Sequence, residues 1–97
     1  KEYLGAFGIV DELPTYFDYA WLQNVEVIDF KGRRVAKLTF VRGTVVASVL
    51  ILSDDHFRTE RIEQDPTKLQ ILRGKDVSYL VLFRGSLESL RPVEIRA

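Results

Sequence analysis

Apolar and polar positions alternate most regularly in the middle of the chain. Between Gln23 and Leu52, the β-branched and aromatic residues Val25, Val27, Ile28, Val35, Phe40, Val45 and Val46 recur with short polar breaks. That composition suits a pleated, half-buried surface. Two of the breaks, Lys31-Gly32 and Arg42-Gly43, pair a long polar residue with glycine, which supplies the positive φ that a two-residue hairpin loop needs. The stretch predicts a meander of three strands, Gln23–Phe30, Arg33–Val41 and Thr44–Leu52. In the second strand Ala36, Leu38 and Phe40 share one face, with Val35, Lys37, Thr39 and Val41 on the other. The first strand passes from Val25 and Val27 to Ile28 and Phe30, a change of face that suggests a bulge near Val27. The third is apolar on both faces, so it belongs in the covered centre of a sheet.

A polar run, Ser53-Asp54-Asp55-His56-Phe57-Arg58-Thr59-Glu60, follows. Ser53 or Asp54 is placed to cap a short helix, with acidic residues in the first turn where the helix dipole favours them. Asp65-Pro66 closes the connection. A fourth strand, Lys68–Leu72, turns through Arg73-Gly74-Lys75-Asp76 into a fifth, Val77–Phe83, again apolar on both faces. Two strands that both want cover on each side should be neighbours, which gives the order 1-2-3-5-4 with short connections. Ser86 then caps a last helical turn, Leu87–Leu90, stopped by Pro92. At the other end, Gly5 and Gly8 interrupt the apolar Tyr3, Leu4, Phe7, Ile9 and Val10. Pro14 suits a helix start, and Tyr16–Leu22 reads as a short amphipathic helix with Phe17, Ala20 and Trp21 on one side. The fold class expected is α+β: one domain over residues 1–97, a single five-stranded antiparallel sheet (a meander, then a hairpin) with short helices covering it.

Composition narrows the classes. Ninety-seven residues with 46% apolar content suffice for one core and little more. Formal net charge is zero, without the basic excess that nucleic-acid binding draws on. The absence of cysteine excludes disulfides, thiolate metal sites and cysteine nucleophiles. The longest apolar run, Val45–Leu52, is broken by Ser48 and too short to span a bilayer. With no signal peptide and no methionine, the chain reads as a piece excised from something longer.

Chemistry-bearing residues are sparse. Asp54, Asp55, His56 and Glu60 offer carboxylate and imidazole donors and form the candidate metal set. Against it stands the divergence of adjacent side chains, so a solvated cap is the plainer reading. The serines Ser48, Ser53, Ser78, Ser86 and Ser89 lie in no Gly-x-Ser-x-Gly elbow, and the one histidine sits in a polar stretch. No catalytic residue and no cofactor is assigned. The basic residues Arg33, Arg34, Arg42, Arg73, Lys75 and Arg84 fall at strand ends and turns, either as one rim or as charges that deter edge-to-edge pairing. Among the many aromatics before Leu22, Tyr3, Phe7, Tyr16, Phe17 and Trp21 are candidates for partner binding, with packing on the sheet as the alternative.

The segment Asp29-Phe30-Lys31-Gly32-Arg33-Arg34-Val35-Ala36-Lys37-Leu38-Thr39-Phe40, followed by Val45-Val46-Ala47-Ser48-Val49-Leu50-Ile51, resembles the extracytoplasmic C-terminal domain of bacterial membrane-anchored anti-sigma factors of the zinc-finger family. Those domains carry a Gly-Arg-x-Val-Ala-x-Leu-x-Tyr hairpin and a late strand before a closing helix. Val77-Ser78-Tyr79-Leu80-Val81-Leu82 and Ser86–Leu90 would fill the last two roles, so the likeness covers roughly residues 21–91. Phe40 stands where tyrosine is usual, and the family's zinc-binding His/Cys segment and membrane helix are not in this chain. The resemblance implies a non-enzymatic sensing domain on the periplasmic or extracytoplasmic side, acting through a protein partner or self-association and touching the membrane only through an upstream helix. A small-ligand or metal-binding module using Asp54, Asp55, His56 and Glu60 is the alternative. Another is a structural dimerisation domain pairing through an edge strand, Gln23–Phe30 or Lys68–Leu72.

Overall fold

A computed structural model of the chain describes residues 13–92. Five antiparallel strands, β1 (Leu22–Phe30), β2 (Arg33–Arg42), β3 (Val45–Ser53), β4 (Leu69–Arg73) and β5 (Val77–Arg84), form one sheet in the order β1-β2-β3-β5-β4. This is the order read from the sequence, and β3 and β5 are neighbours inside it. The turns explain the register. Lys31 and Gly32 both have positive φ, 52° and 83°, and Phe30 lies opposite Arg33, the geometry of a type I′ loop whose twist matches the strands it joins. The next loop is Gly43-Thr44, one residue later than Arg42-Gly43: Arg42 pairs with Val45 and Gly43 takes the left-handed position. In the β4–β5 connection that position falls on Asp76, at φ 64°.

Each face of the sheet has its own core. On the first, Ala36, Leu38 and Phe40 meet Ala47, Val49 and Ile51 and then Val77, Tyr79 and Val81, under Phe17, Leu87 and Leu90. On the second, Val35, Leu50, Leu52 and Leu80 pack beneath Phe57 and Ile62 from the β3–β4 crossover. This two-sided burial explains β1 without a bulge near Val27. Val25 goes to the first core and Ile28 and Phe30 go to the second, as ordinary alternation requires. The register shift lies between Leu22 and Asn24 instead. It turns Leu22, opposite Phe40, onto the first face with Trp21 and Tyr19.

The second face is covered at one end only. The crossover lies over the row through Leu52, while Thr39, Val41, Val46 and Ser48 stay partly exposed and Leu82 is 45% exposed. The expectation of cover on both sides of β5 therefore holds from Val77 to Val81 and lapses at Leu82.

The helical half of the expected α+β class needs correction. Among the described residues there are only 3-10 turns, at Tyr19–Trp21, Thr59–Arg61 and Leu87–Leu90, so this part of the chain is mostly β. Tyr16–Leu22 does not form a helix. Asp18 caps Ala20 N–H through its carboxylate, and the chain is extended again by Leu22. A helix that short nucleates poorly, and pairing of Leu22 with Phe40 draws it into the sheet. Ser53 accepts from Asp55 N–H as a cap would, but its carbonyl closes a single turn to His56 and Phe57 and no helix follows. The closing turn Leu87–Leu90 is where the sequence placed it, though held by the Ser86 carbonyl, which accepts from Ser89 N–H and Ser89 Oγ. Among the described residues no helix is long and apolar enough to cross a membrane.

Candidate functional site

The aromatic N-terminal segment lies across the first face and is fastened to both the sheet and the C-terminal turn. Phe17, 2% exposed, stacks on Phe40 with ring centroids 4.5 Å apart, and Tyr19 meets the edge of Phe40 at 5.3 Å. Asp18 N–H donates to the Leu90 carbonyl at 2.7 Å. Arg42 sits 4.7 Å over the Trp21 ring and donates from Nη1 to the Ser89 carbonyl at 2.8 Å. Arg91 sits 4.7 Å over the Tyr16 ring. The Asp18–Leu90 bond and the Arg91–Tyr16 contact thus join residues 16–21 to residues 89–91, the ring stack on Phe40 joins them to β2, and Arg42 bridges Trp21 to Ser89.

This changes the reading of the partner-binding candidates. Phe17 is a core residue, and Tyr16 and Trp21 each give a ring face to an arginine of the same chain, because an apolar sheet face needs cover and these rings supply it. Tyr3 and Phe7 lie outside the described residues.

Tyr19 is the strongest titratable marker of this packing. Its hydroxyl donates to the Pro14 carbonyl at 2.7 Å, and burial, with the Tyr79 phenol beside it, holds its pKa well above the ordinary value of 10.0. A raised phenol pKa means that the folded chain keeps a proton which the unfolded chain gives up above pH 10.0. Stability contributed by Tyr19 is therefore present below that pH and lost as pH rises toward the folded value. Urea midpoints measured on the alkaline side should fall with pH more steeply in the parent than in Tyr19→Phe.

The metal candidates come together only loosely. Asp54, Asp55, His56 and Glu60 line one cleft of about 380 Å³ with Phe57, Arg58 and Arg73, yet among the described residues no three His, Asp or Glu side chains are grouped to hold a metal ion. Asp55 and His56 point into solvent from a tight turn, and two arginines bring positive charge to the same walls. The Asp54 carboxylate is already engaged, accepting from Ser78 Oγ at 2.7 Å. Among the described residues, then, these four side chains do not converge on one point.

That bond is one link of a polar chain, buried at Thr59 and Ser78 and open to solvent at Asp54 and Arg73, which local spacing did not reveal. Arg73 Nη1 donates to Thr59 Oγ1 at 2.6 Å and to Ser78 Oγ at 2.9 Å. Thr59 Oγ1 donates to Ser78 Oγ at 3.0 Å, and Ser78 Oγ passes its own proton to Asp54. Ser78 is 0% and Thr59 1% exposed, and among the described residues no buried side-chain polar atom lacks a partner. The chain fastens the crossover to β5 and β4 and closes the second core. Its one sequence signal is Ser78, a hydroxyl at an inward position of a strand otherwise apolar on that face.

The six basic residues do not form one rim. Antiparallel register places Arg33 and Arg34 at the end of the sheet that holds Ser53, Val77 and Arg73, and Arg42 and Arg84 at the opposite end beside Val45 and Val46. Arg73 and Lys75 instead help line a groove of about 470 Å³ on the first face, shared with Leu13, Tyr16 and Arg91. No family model matches the chain, and no curated protein or solved structure matches it either.

Proposed function

We propose that the chain is a non-catalytic sensing domain of an anti-sigma-factor-like membrane protein, standing on the periplasmic or extracytoplasmic side and working through contact with a protein partner. The observation that carries this reading is the fastened segment Leu13–Trp21. It leaves the sheet toward the N-terminus, where the rest of such a protein would continue, and it is joined to the C-terminal turn by Asp18, Arg42 and Arg91. A partner that shifts this cover would move the chain leading out of the domain. The sequence likeness supports the same reading: Gly32-Arg33-Arg34-Val35-Ala36-Lys37-Leu38-Thr39-Phe40 is a turn and a strand that feeds one core through Val35 and the other through Ala36, Leu38 and Phe40.

The test uses the complete open reading frame in a bacterium carrying a reporter for sigma-dependent transcription. Trp21→Ala and Arg42→Gln, which loosen the cover, should shift reporter output at unchanged protein level. Indifference of the reporter, or an open reading frame with neither a membrane helix nor a sigma-binding segment upstream of Lys1, would sink the proposal.

A second reading, self-association through an edge strand, has one specific observation in its favour. The β4 edge is blocked, since Gln64 Oε1 accepts from Ile71 N–H and Asp65 bridges Leu69. Among the described residues no strand pairs with the outer edge of β1, nine residues long, and that edge is the natural place for another strand to add. Sedimentation across a wide concentration range decides: a dimer supports it, and a monomer throughout removes it.

A further inference from the structure

The outer edge of β1 carries a definite pattern of backbone and charge. Phe30 and Arg33 close the type I′ loop Lys31-Gly32, and the closing pair of such a loop is a bonded pair. Bonded and unbonded pairs alternate from there. Phe30, Ile28 and Glu26 therefore bond to Arg33, Val35 and Lys37, while Asp29, Val27 and Val25 turn their N–H and C=O groups away from β2. Among the described residues nothing bonds to those outward groups. The register is unbroken from Asn24 to Phe30, and β1 contains no proline, glycine or lysine, so its guards against strand addition are Glu26 and Asp29 alone. Val25 and Val27 flank the edge on the first face and Ile28 and Phe30 on the second, each partly exposed.

The two carboxylates select what can be added. Lys37 reaches Glu26 only at 4.0 Å, and Arg34 stands opposite Asp29 with both residues in solvent, so neither carboxylate is strongly engaged. β1 has no cation of its own. Antiparallel pairing with a second copy of β1 sets Glu26 against Glu26 in one register and Asp29 against Asp29 in another. The registers between set both carboxylates against valine, isoleucine or phenylalanine. Like charges directly opposite destabilise a pair of strands, and opposite charges stabilise it. A strand of another chain with cations at both places meets that demand, as β1 itself does not.

We propose that the outer edge of β1 takes an extended segment of the partner protein as a further strand of the sheet. Two cations three residues apart in that segment lie opposite Glu26 and Asp29. Apolar residues between and beyond them lie against Val25, Val27, Ile28 and Phe30. Backbone bonds to Val25, Val27 and Asp29 supply affinity, and the side-chain pattern supplies the choice of partner. The proposal rests on the protein-contact reading above and names the partner's chemistry. It differs from the self-association reading in filling the same edge with a different chain.

The probe is the blocked peptide Thr-Val-Lys-Val-Ile-Lys-Val-Thr, titrated into the isotopically labelled chain at low salt and followed by amide shifts and hydrogen exchange. In the free chain the amides of Val25, Val27 and Asp29 should exchange near the free-peptide rate, while those of Glu26 and Ile28 are protected by β2. Peptide should shift and protect the first three, saturably. Glutamate in place of both peptide lysines should weaken binding about tenfold, and Glu26→Lys combined with Asp29→Lys should reverse that preference, because both cross-strand pairs change sign. Val27→Pro removes an outward donor without breaking the ladder to β2, and it should abolish binding. The charge-reversed variant carries the test if Val27→Pro loses its fold. Equal binding of the glutamate peptide, unchanged affinity in folded Val27→Pro, or no binding at all overturns the edge assignment. Protection of Val25, Val27 and Asp29 in the free chain overturns it as well; if that protection grows with protein concentration, a second copy holds the edge. Shifts centred on Thr39, Ser48 and Leu82 would overturn it too while leaving the protein-contact reading intact. That reading fails separately, in the reporter strain.

Discussion

Phe40→Ala is expected to lower the stability of the domain by about 3–5 kcal/mol, the range for removing a fully buried phenylalanine. Phe40 is 0% exposed, and its ring meets those of both Phe17 and Tyr19. Its loss opens a cavity under the cover and also removes the ring contacts that orient it, worth about 0.5–1.5 kcal/mol for a well-placed pair. A domain of this size has roughly 5–15 kcal/mol in all, so about a fifth or more of the total is at stake. Trp21, the only tryptophan in the chain, lies on the same cover, so its fluorescence should shift toward that of a solvated indole at urea concentrations where the far-ultraviolet signal of the sheet persists. A single coincident transition with unchanged midpoint would show that the cover does not depend on Phe40.

Ser78→Ala is the second large effect, at about 1–3 kcal/mol for burying groups without their partners. The change strips Asp54 of a donor and Thr59 of its acceptor, and takes one of two bonds from Arg73 Nη1. Thr59→Val should be costly for the same reason. The double variant should cost clearly less than the sum of the two, because each single change orphans groups whose partners the other has already removed. Urea midpoints of the four proteins measure this directly. Strict additivity would mean that the four side chains do not act as one network.

What the sequence disclosed follows from how local each signal was. Strand positions were legible because alternation and the Lys31-Gly32 and Gly43 turns act within a few residues. The order of the sheet was legible because β3 and β5 are apolar on both sides. The short helices failed for an equally local reason. Tyr16–Leu22 has helical spacing of its aromatics, but Asp18 caps a mere 3-10 turn and the demand to cover a sheet face overrides so short a propensity. Single-face reasoning misplaced the bulge of β1, since each face has a core. The groove and the polar chain were out of reach: Tyr16, Arg73, Lys75 and Arg91 come from three separate segments, as do Asp54, Thr59 and Ser78 with Arg73, and only the register brings them together. For Asp54, Asp55, His56 and Glu60 the sequence neighbourhood was real, yet a turn that spreads neighbouring side chains into solvent keeps them from converging.

The proposed role needs the N-terminal cover to be a distinct unit, fastened to the sheet yet able to open without it. Native-state hydrogen exchange at the Asp18 amide, which donates to the Leu90 carbonyl, tests this most directly. Asp18 should be protected well above a free peptide but should open at lower free energy than the amides of β3 and β5, and Phe40→Ala should lower that opening energy selectively. Exchange of Asp18 at the free-peptide rate, or only with global unfolding of β3 and β5, would contradict it.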